Sequence, residues 1–393
     1  MRTHSIVVYL TLLASLAACS SPPHASFEKI TLTKDFLSEG VAAADVNKDG
    51  KPDVLAGTVW FEAPDWKQHA IDTIKVYNPA TEYSHSFINA ASDVNGDGRV
   101  DLLLVDFPGE EARWYENPGK SEGYWKRHLI YPHVANESPA FVDIDGDGIH
   151  DLLCADPADG QMIWLKRPNH PDSSTWKKFT ISKPNSPGTD IFSHGLGYGD
   201  MNGDGRPDVI ITQGWWEAPV NPQQPDWSFH PADLGDPCSQ MYAMDVNGDG
   251  LQDVISCSAH LAGIWWHEQI RDSTGKHWEH HVLSYAFAES HAVIMQDING
   301  DKAPDFATGK RNLQRNTWRK NPGTHGPPRL YWFEHTKGID PFWKPHLIDT
   351  TVGAGLNLVA IDMNQDSQRD LIVSNFKGVY IFINRLSIPA TQD

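Results

Sequence analysis

The amino-acid sequence predicts an all-β protein that folds as a seven-bladed β-propeller. Three observations lead to this prediction. One acidic loop recurs seven times, its copies start roughly 45 to 65 residues apart, and the same two aromatic segments follow most copies. A period of that length is typical of one propeller blade. A single array of such repeats accounts for nearly all of the 393 residues.

The acidic loop carries an oxygen ligand at its positions 1, 3, 5 and 9. Asp or Asn side chains at this spacing are typical of Ca²⁺ sites, so we expect up to seven structural calcium ions. An EF-hand is excluded, because its ligand Glu at position 12 is replaced here by residues such as Leu104 within apolar β-type runs. The expected ligands are Asp45, Asn47, Asp49, Asp53, Asp93, Asn95, Asp97, Asp101, Asp143, Asp145, Asp147, Asp151, Asp200, Asn202, Asp204, Asp208, Asp245, Asn247, Asp249, Asp253, Asp297, Asn299, Asp301, Asp305, Asp362, Asn364, Asp366 and Asp370.

Position 6 of the loop is Gly in five copies, whereas the last two copies have Lys302 and Ser367. Loss of Gly at a position with positive φ costs about 1 kcal/mol. We therefore expect weaker calcium binding in the last two loops, and not its loss.

Four strands are predicted for each repeat. Apolar runs before and after the loop form the first two, a segment such as Trp114–Pro118 forms the third, and one such as Trp125–His128 forms the fourth. The seventh repeat lacks a fourth strand, and Phe27–Leu32 resembles the missing one, so the N-terminal segment is predicted to complete the last blade and close a propeller of residues 27–385. Of the 15 tryptophans, all but Trp318 occupy third- or fourth-strand positions, where we expect them to pack between blades.

The N-terminus has the features of an export signal. Arg2 precedes an apolar stretch, Ile6–Leu16, that is too short to span a bilayer, and the following Ala17-Ala18-Cys19 resembles a bacterial lipobox. This segment predicts a signal peptide at 1–18, lipidation of Cys19 and a tether at 19–26. At the other end of the chain, the residues after the last repeat, 386–393, are predicted to be a C-terminal tail. The resemblance to Gram-negative lipoproteins implies that Ser20, in place of Asp after the cysteine, favours the outer membrane, so we expect an envelope lipoprotein that faces the periplasm or the surface. The alternative is an ordinary signal peptide cleaved nearby.

Net charge limits the binding partners of the protein, and the cysteines raise the question of a disulfide. The formal net charge is −19 and there is no basic face to offset it, which excludes nucleic-acid binding. Cys238 and Cys257 flank the fifth loop and could pair in an exported protein, whereas Cys154 is expected to be buried.

Polar residues recur at the strand ends that lie away from the acidic loops, about 20 Å from them at 3.3 Å per residue. Because the inner strands surround one channel, these side chains are expected to converge on its mouth and form the functional site. Asp106, Asp156, Gln213 and Gln240 are predicted to bind substrate there. The full set is Glu39, Thr58, His85, Asp106, Glu137, Asp156, His194, Gln213, Gln240, Ser258, His291, Lys310, Asn357 and Asn375.

Three of these residues, His85, His194 and His291, each follow a serine on alternate blades. Converging imidazoles could hold a transition metal with Glu137 or Gln240 as a fourth ligand. One imidazole could equally act as a general base near neutral pH. The structural alternative is that each histidine bonds to its neighbours and fills the channel.

The sixth repeat contains a cationic loop that also includes Trp318. Its five cations suggest recognition of an anionic group, with Trp318 and Arg315 as substrate-binding residues and Lys310 and Arg311 directed into the mouth. A solvated loop is the alternative. The cations are Lys310, Arg311, Arg315, Arg319 and Lys320.

The loops resemble those of the FG-GAP or VCBS repeat family, as in Asp93–Asp101, and this resemblance covers about residues 27–385. It implies calcium loops on the hairpins of an integrin-like propeller.

Glu289-Ser290-His291, Thr308-Gly309-Lys310-Arg311 and Leu330–Glu334 are similar to the propeller part of the aldos-2-ulose dehydratase group, without its cupin domains. That similarity implies a carbon–oxygen lyase acting on an oxidised (keto) sugar. His291 or His194 would be the base, while Lys310, Arg311 or a metal would stabilise the enolate. The alternative is a non-catalytic surface lipoprotein that binds a glycan or a protein through the same mouth.

Overall fold

The structure, a computed structural model, describes residues 27–120, 123–168, 176–273, 275–311, 326–336 and 342–386. Every regular element in these ranges is a β-strand, which confirms the all-β class. Accordingly, these ranges contain no helix of the length and apolarity needed to cross a membrane. The predicted signal peptide, Cys19, the tether and residues 387–393 lie outside the described residues.

Twenty-eight strands follow one another along the described chain. They are β1 (Phe27–Thr33), β2 (Ala42–Ala44), β3 (Asp53–Ala56), β4 (Val59–Glu62), β5 (Lys67–Ala70), β6 (Ile88–Ser92), β7 (Asp101–Val105), β8 (Ala112–Glu116), β9 (Lys126–Tyr131), β10 (Ala135–Val142), β11 (Asp151–Asp156), β12 (Gln161–Lys166), β13 (Lys177–Thr180), β14 (Leu196–Gly199), β15 (Asp208–Ile211), β16 (Gly214–Glu217), β17 (Ser228–Pro231), β18 (Gln240–Met244), β19 (Asp253–Cys257), β20 (Ala262–Asp272), β21 (Gly275–Ala288), β22 (Ser290–Gln296), β23 (Asp305–Lys310), β24 (Leu330–Thr336), β25 (Phe342–Asp349), β26 (Leu358–Ile361), β27 (Asp370–Asn375) and β28 (Gly378–Asn384).

These strands form five separate four-stranded sheets and one eight-stranded sheet. The prediction of seven blades is therefore not met, because five four-stranded sheets stand as separate blades in the described chain. In the eight-stranded sheet, β14 pairs in parallel with β18 through Leu196 with Gln240 and Gly197 with Met241. Gly197 allows this pairing, because a Cβ atom there would lie 2.5 Å from the carbonyl oxygen of Met241. Absence of a side chain thus lets two inner strands approach closely enough to hydrogen-bond.

The innermost strands form a closed cycle of contacts. In order, the neighbours are β2, β6, β10, β14, β18, β22 and β26, and β26 contacts β2. The last sheet has the order β26, β27, β28, β1, in which Phe27 pairs with Asn384 and Tyr380 with Thr31. The N-terminal strand therefore completes the last sheet, as predicted, and joins the two ends of the described chain.

The aromatic segments supply much of the core. Of the 14 tryptophans expected to pack between blades, eleven are buried and three are half-buried, which confirms the packing role. In five repeats the Trp ring stacks on a His of the fourth strand, as Trp114 does on His128 with 4.1 Å between centroids. That His then contacts a glutamate, Glu116 in this repeat, at 2.8 Å. The stack explains why the fourth-strand pattern ends in His in these five repeats.

The three cysteines of the described chain, Cys154, Cys238 and Cys257, are buried free thiols. Cys238 and Cys257 therefore do not pair. Burial raises the pKa of each thiol, so all three remain protonated near neutral pH.

Candidate functional site at the propeller mouth

The seven acidic loops share one backbone geometry. In each copy the Asp at position 1 accepts the N–H of the residue at position 6, as Asp93 Oδ2 does from Gly98 at 2.7 Å. That residue has a φ between 67° and 88° in all seven loops, including the non-glycine copies Lys302 and Ser367. The predicted positive φ is thus confirmed, and the two side chains there carry its strain.

The Asp at position 9 ties each loop to the third strand. Its Oδ1 accepts a backbone N–H from the end of that strand in every repeat, as Asp101 does from Asn117 at 2.8 Å. Burial raises the pKa of this carboxyl from its ordinary 3.8 to about 6 or about 7. Neighbouring aspartates of the same loop, such as Asp93 and Asp97 for Asp101, add to the effect. The seven are Asp53, Asp208, Asp253 and Asp370 at about 6, and Asp101, Asp151 and Asp305 at about 7.

These raised pKa values predict an inverted pH dependence in protein stripped of divalent cations. Between about pH 4 and about pH 7 the native state holds protons on these carboxyls that the unfolded state has released. Stability of the stripped protein should therefore fall as pH rises through this window. We expect a lower Tm at about pH 7.5 than at about pH 5 by circular dichroism, and Asp101→Asn should flatten the slope. A Tm that rises with pH would contradict the prediction.

Strand register places the predicted site residues at the end opposite the loops. In the sixth repeat Gln296 pairs with Asp305 beside the loop, whereas Ser290 pairs with Lys310 at the other end. Ile88 likewise pairs with Val105, next to Asp106, while Ser92 pairs with Asp101. The expected separation of the acidic loops from the polar mouth is confirmed for these repeats.

Two of the predicted histidines meet at this mouth, and a third joins them that was not predicted. His194, His260 and His291 each offer a ring nitrogen within 4.8 Å of the others. Their ring centroids lie 4.5, 5.7 and 5.3 Å apart. Imidazole nitrogens bound to one Zn²⁺ are roughly 3.3 Å apart at Zn–N distances of about 2.0–2.1 Å. Shifts of about an ångström would therefore bring the three rings to an ion.

Glu137 and His194 face each other with unsatisfied atoms. His194 Nδ1 donates to the carbonyl oxygen of Phe192 at 2.8 Å, so Nε2 is the ring nitrogen that faces Glu137. That Nε2 lies 3.3 Å from Glu137 Oε2, and neither buried atom has an aligned hydrogen-bond partner. A proton on Nε2, or a metal ion between the two atoms, would satisfy both of them. The residue types and the orphaned atoms therefore fit a metal ion.

Burial and neighbouring charges keep Glu137 and His291 in the protonation states that can bind a metal ion. Burial alone would raise the pKa of Glu137, but the His194 imidazole and the Arg311 guanidinium hold it below its ordinary value. Burial lowers the pKa of His291 well below 6.5, and the Arg311 cation lowers it further. Glu137 is thus a carboxylate and His291 a neutral imidazole near pH 7, the forms that bind metals.

Arg311 lies beneath the mouth as a buried cation. Its Nη2 donates to Glu39 Oε1 at 2.6 Å, and its Nη1 lies 3.5 Å from Glu137 Oε2. The guanidinium also lies over the rings of Tyr83 and Phe87. Arg311 therefore orients Glu137.

Lys310 takes a different position from the one expected. Its side chain is buried, and its Nζ lies 3.7 Å from Glu289 Oε2. The sequence-based expectation that it is directed into the mouth with Arg311 is therefore not met.

His85 lies outside the group of three histidines, contrary to the predicted trio. Its Nδ1 lies 2.8 Å from Asp106 Oδ1, and Arg113 Nη1 donates to Asp106 Oδ2 at 2.6 Å. Arg113 also donates to the His85 carbonyl oxygen at 2.9 Å. The Phe107 N–H also donates to Asp106 Oδ1, so this carboxylate is occupied by three partners and holds a half-exposed imidazole.

The remaining predicted residues have separate roles. Asp156 accepts from Tyr131 at 2.6 Å and pairs with Lys178. Gln240 bridges inner strands through the Val293 N–H and the Leu356 carbonyl oxygen, so it is no metal ligand here. Gln213 is exposed beside the mouth. Arg315 and Trp318, like Arg319 and Lys320, lie outside the described residues.

A cleft opens beside His194. Its volume is about 1030 Å³, and it is lined by residues 157–160 in part, by 185–194, and by Thr212, Gln213 and Pro237. The cleft extends the mouth over the third and fourth repeats.

His260 escaped the sequence prediction because it follows β19 and is not part of a strand. The predicted mouth positions were counted along strands, five residues after the last Asp of each loop, which selects Ser258. A histidine two residues further, in Ser258-Ala259-His260, was the available signal.

Comparison with known proteins supports the repeat and the fold. Residues 93–154, 143–211 and 245–308, just under half of the chain together, match the FG-GAP-like repeat family. The chain thus contains FG-GAP-like repeats in a β-propeller arrangement. No curated protein matches it significantly.

Three solved structures match this chain over most of its length. An Agrocybe aegerita lectin that recognises non-reducing terminal N-acetylglucosamine is 14% identical over 83% of this chain and 82% of its own, with a TM-score of 0.44. The V. cholerae biofilm matrix protein Bap1 is 11% identical over 95% and 82%, with a TM-score of 0.32. BBS1N, solved in complex with ARL6DN, is 10% identical over 92% and 96%, with a TM-score of 0.49.

Proposed function

We propose that the scaffold is a seven-bladed propeller in which the eight-stranded sheet counts as two blades. The parallel bridge between β14 and β18 spans two residue pairs, and each half has the strand order of a separate blade. The cycle of innermost strands supports this count.

Calcium in the acidic loops is the second part of the proposal. Each loop gathers carboxylate or amide oxygens at positions 1, 3, 5 and 9 around a common turn, which is the donor set that Ca²⁺ prefers. Raised pKa values at position 9 are what crowded, buried carboxylates show without a cation. Bound calcium would hold the hairpins in place.

The third part concerns location. The Ala17-Ala18-Cys19 segment supports an envelope lipoprotein anchored through Cys19, with the outer membrane favoured by Ser20. The propeller itself would then work outside the cytoplasm.

For the mouth, we propose a metal-dependent lyase that eliminates water from an oxidised sugar. The carrying observation is the group of three histidines, beside which Glu137 Oε2 lies 3.3 Å from His194 Nε2. His194, His260 and His291 would hold a Zn²⁺-like ion. Such an ion would supply Lewis-acid chemistry, which would polarise the sugar carbonyl and make the adjacent C–H more acidic.

The chain's own groups then carry the proton. Glu137, oriented by Arg311, takes the proton from the carbon next to the carbonyl. The C–O bond on the following carbon breaks, and the leaving hydroxide takes that proton to become water, which regenerates the carboxylate and leaves an enone. Glu137 replaces His291 or His194 as the proposed base, because imidazoles that hold an ion have no lone pair left for a proton.

The first test measures metal content and product formation. Wild-type protein should retain about one transition-metal ion per chain by mass spectrometry and form an ultraviolet-absorbing enone from 1,5-anhydrofructose or 3-keto sugars. His260→Gln should weaken Zn²⁺ affinity at least about 100-fold, since even partners beyond the ligands contribute 10–100-fold. His230→Gln, which alters an imidazole paired with Glu217 away from the group, is the matched control.

The alternative is a non-catalytic glycan-binding lipoprotein, which the cleft beside His194 would also suit. Retention of no transition metal by wild-type protein, or full retention by His260→Gln, would overturn the lyase proposal. Glycan binding without product would then favour this alternative.

A further inference from the structure

The cleft beside His194 is large for one sugar ring. Pockets that bury a drug-sized ligand usually measure about 300–1,000 Å³, and this cleft has about 1030 Å³. His194 belongs both to its lining and to the group of three histidines. A ligand with its reacting end at the histidines therefore has room to continue into the cleft.

One wall of the cleft is fixed before any ligand arrives. Thr189 Oγ1 donates to the Ser186 carbonyl oxygen at 2.6 Å, and the Asn136 N–H donates to the Ile191 carbonyl oxygen at 3.2 Å. The Glu137 N–H donates to the Ser193 carbonyl oxygen at 2.9 Å. The wall is thus attached to the residue proposed as the base, and a preformed wall lowers the entropic cost of binding.

An exposed aromatic ring stands on this wall. Phe192 is 56% exposed, although its edge packs on Phe107 at 5.7 Å between centroids. Phe107 in turn packs on Tyr83 and Phe87, the rings beneath Arg311. Phe192 is therefore the solvent-facing end of an aromatic cluster, supported from behind and open on the cleft side.

The lining is polar but almost uncharged. Among the residues that line the cleft, apart from His194, Asp190 alone carries a charge. Amide, hydroxyl and backbone groups make up much of the rest. This chemistry suits a neutral ligand with polar edges and an apolar face, which describes a sugar ring, and it offers no cation to an anionic polymer.

We propose that the cleft binds the remainder of an extended carbohydrate, so that the substrate is a glycoside or oligosaccharide and not a free monosaccharide. The oxidised ring lies at the histidines, and the next ring stacks on Phe192. The inference rests on the proposed function, since it places the reacting ring at that site.

The test compares substrate length in zinc-loaded, calcium-loaded protein. The probes are 3-ketoglucose and its α- and β-linked disaccharides with glucose. We expect kcat/KM for one of the disaccharides to exceed that for 3-ketoglucose about tenfold or more, as an aromatic contact of about 1.4 kcal/mol would give. Phe192→Ala should remove most of this preference through KM, whereas Phe192→Tyr keeps the ring and should preserve it.

Metal content separates this inference from the function on which it rests. Phe192→Ala should keep its zinc, because the contact from Phe192 to His194 is made by the backbone carbonyl. If all three sugars are converted with equal kcat/KM, or if Phe192→Ala keeps the same length preference, the proposal of an extended substrate is wrong. The proposed lyase function would not be affected by either result. If zinc-loaded wild-type protein converts none of them, the proposed function fails, and this inference fails with it.

Discussion

Removal of divalent cations by a chelator is expected to lower the Tm by at least about 10 °C near neutral pH. A ligand present at 100 times its Kd stabilises the folded state by about 2.7 kcal/mol per site, and up to seven loops would lose one. Each lost ion also leaves buried carboxylates such as Asp101 and Asp305 beside other aspartates. Calorimetry with and without chelator measures the change.

Two comparisons make this test specific. Ca²⁺ should restore the Tm more fully than Mg²⁺, which is smaller and demands an octahedral site. Asp93→Asn, in a loop with glycine at position 6, should cost more stability in calcium than Asp362→Asn, whose loop has Ser367 there. An identical Tm in chelator and in calcium would show that the loops hold no stabilising ion.

Arg311→Met is expected to destabilise the protein by about 3–5 kcal/mol. The substitution leaves the carboxylates of Glu39 and Glu137 buried without their cation, and breaking one side of a buried ion pair typically costs that much. Urea unfolding measures the loss. Glu39→Gln combined with Arg311→Met should recover part of it, because one uncompensated charge is removed.

An exposed ion pair provides the control for this substitution. Arg385 pairs with Glu28 at 2.8 Å, but both side chains are about half exposed, so Arg385→Met should have no measurable effect. Arg311→Lys keeps the charge without the two-pronged contact to Glu39 and should fall between wild type and Arg311→Met. An Arg311→Met variant as stable as wild type would mean that the buried cation is not needed for folding.

Much of the scaffold was predictable because its signals are local and repeated. The acidic loop and the spacing from Asp93 to Asp101 set the hairpin, and the continuous apolar run after each loop sets a strand that is buried on both faces. The return of β1 to the last sheet was predictable for the same reason, since Phe27–Leu32 matches the missing strand. The joining of β14 to β18 was not, because Gly197 acts through a neighbour 44 residues away, Met241.

The site was only partly predictable. Ser84-His85, Ser193-His194 and Ser290-His291 are alike in sequence, yet His85 is held by Asp106 and Arg113, while the other two meet His260. His260 comes from a connection after β19, whose path no strand period describes. Lys310 was expected in the mouth, but Glu289 holds it inside the sixth repeat.

By itself, then, the amino-acid sequence determined the repeat, the strands, the closing N-terminal strand and the end of the molecule at which the polar residues lie. The number of residues between the acidic loop and a given residue fixes how far along the strand that residue lies, so the sequence alone is sufficient for this. The tertiary structure alone decided which imidazoles meet and which carboxylates Arg311 holds. Those partners come from different repeats across the ring, and their distances depend on how the inner strands pack against one another.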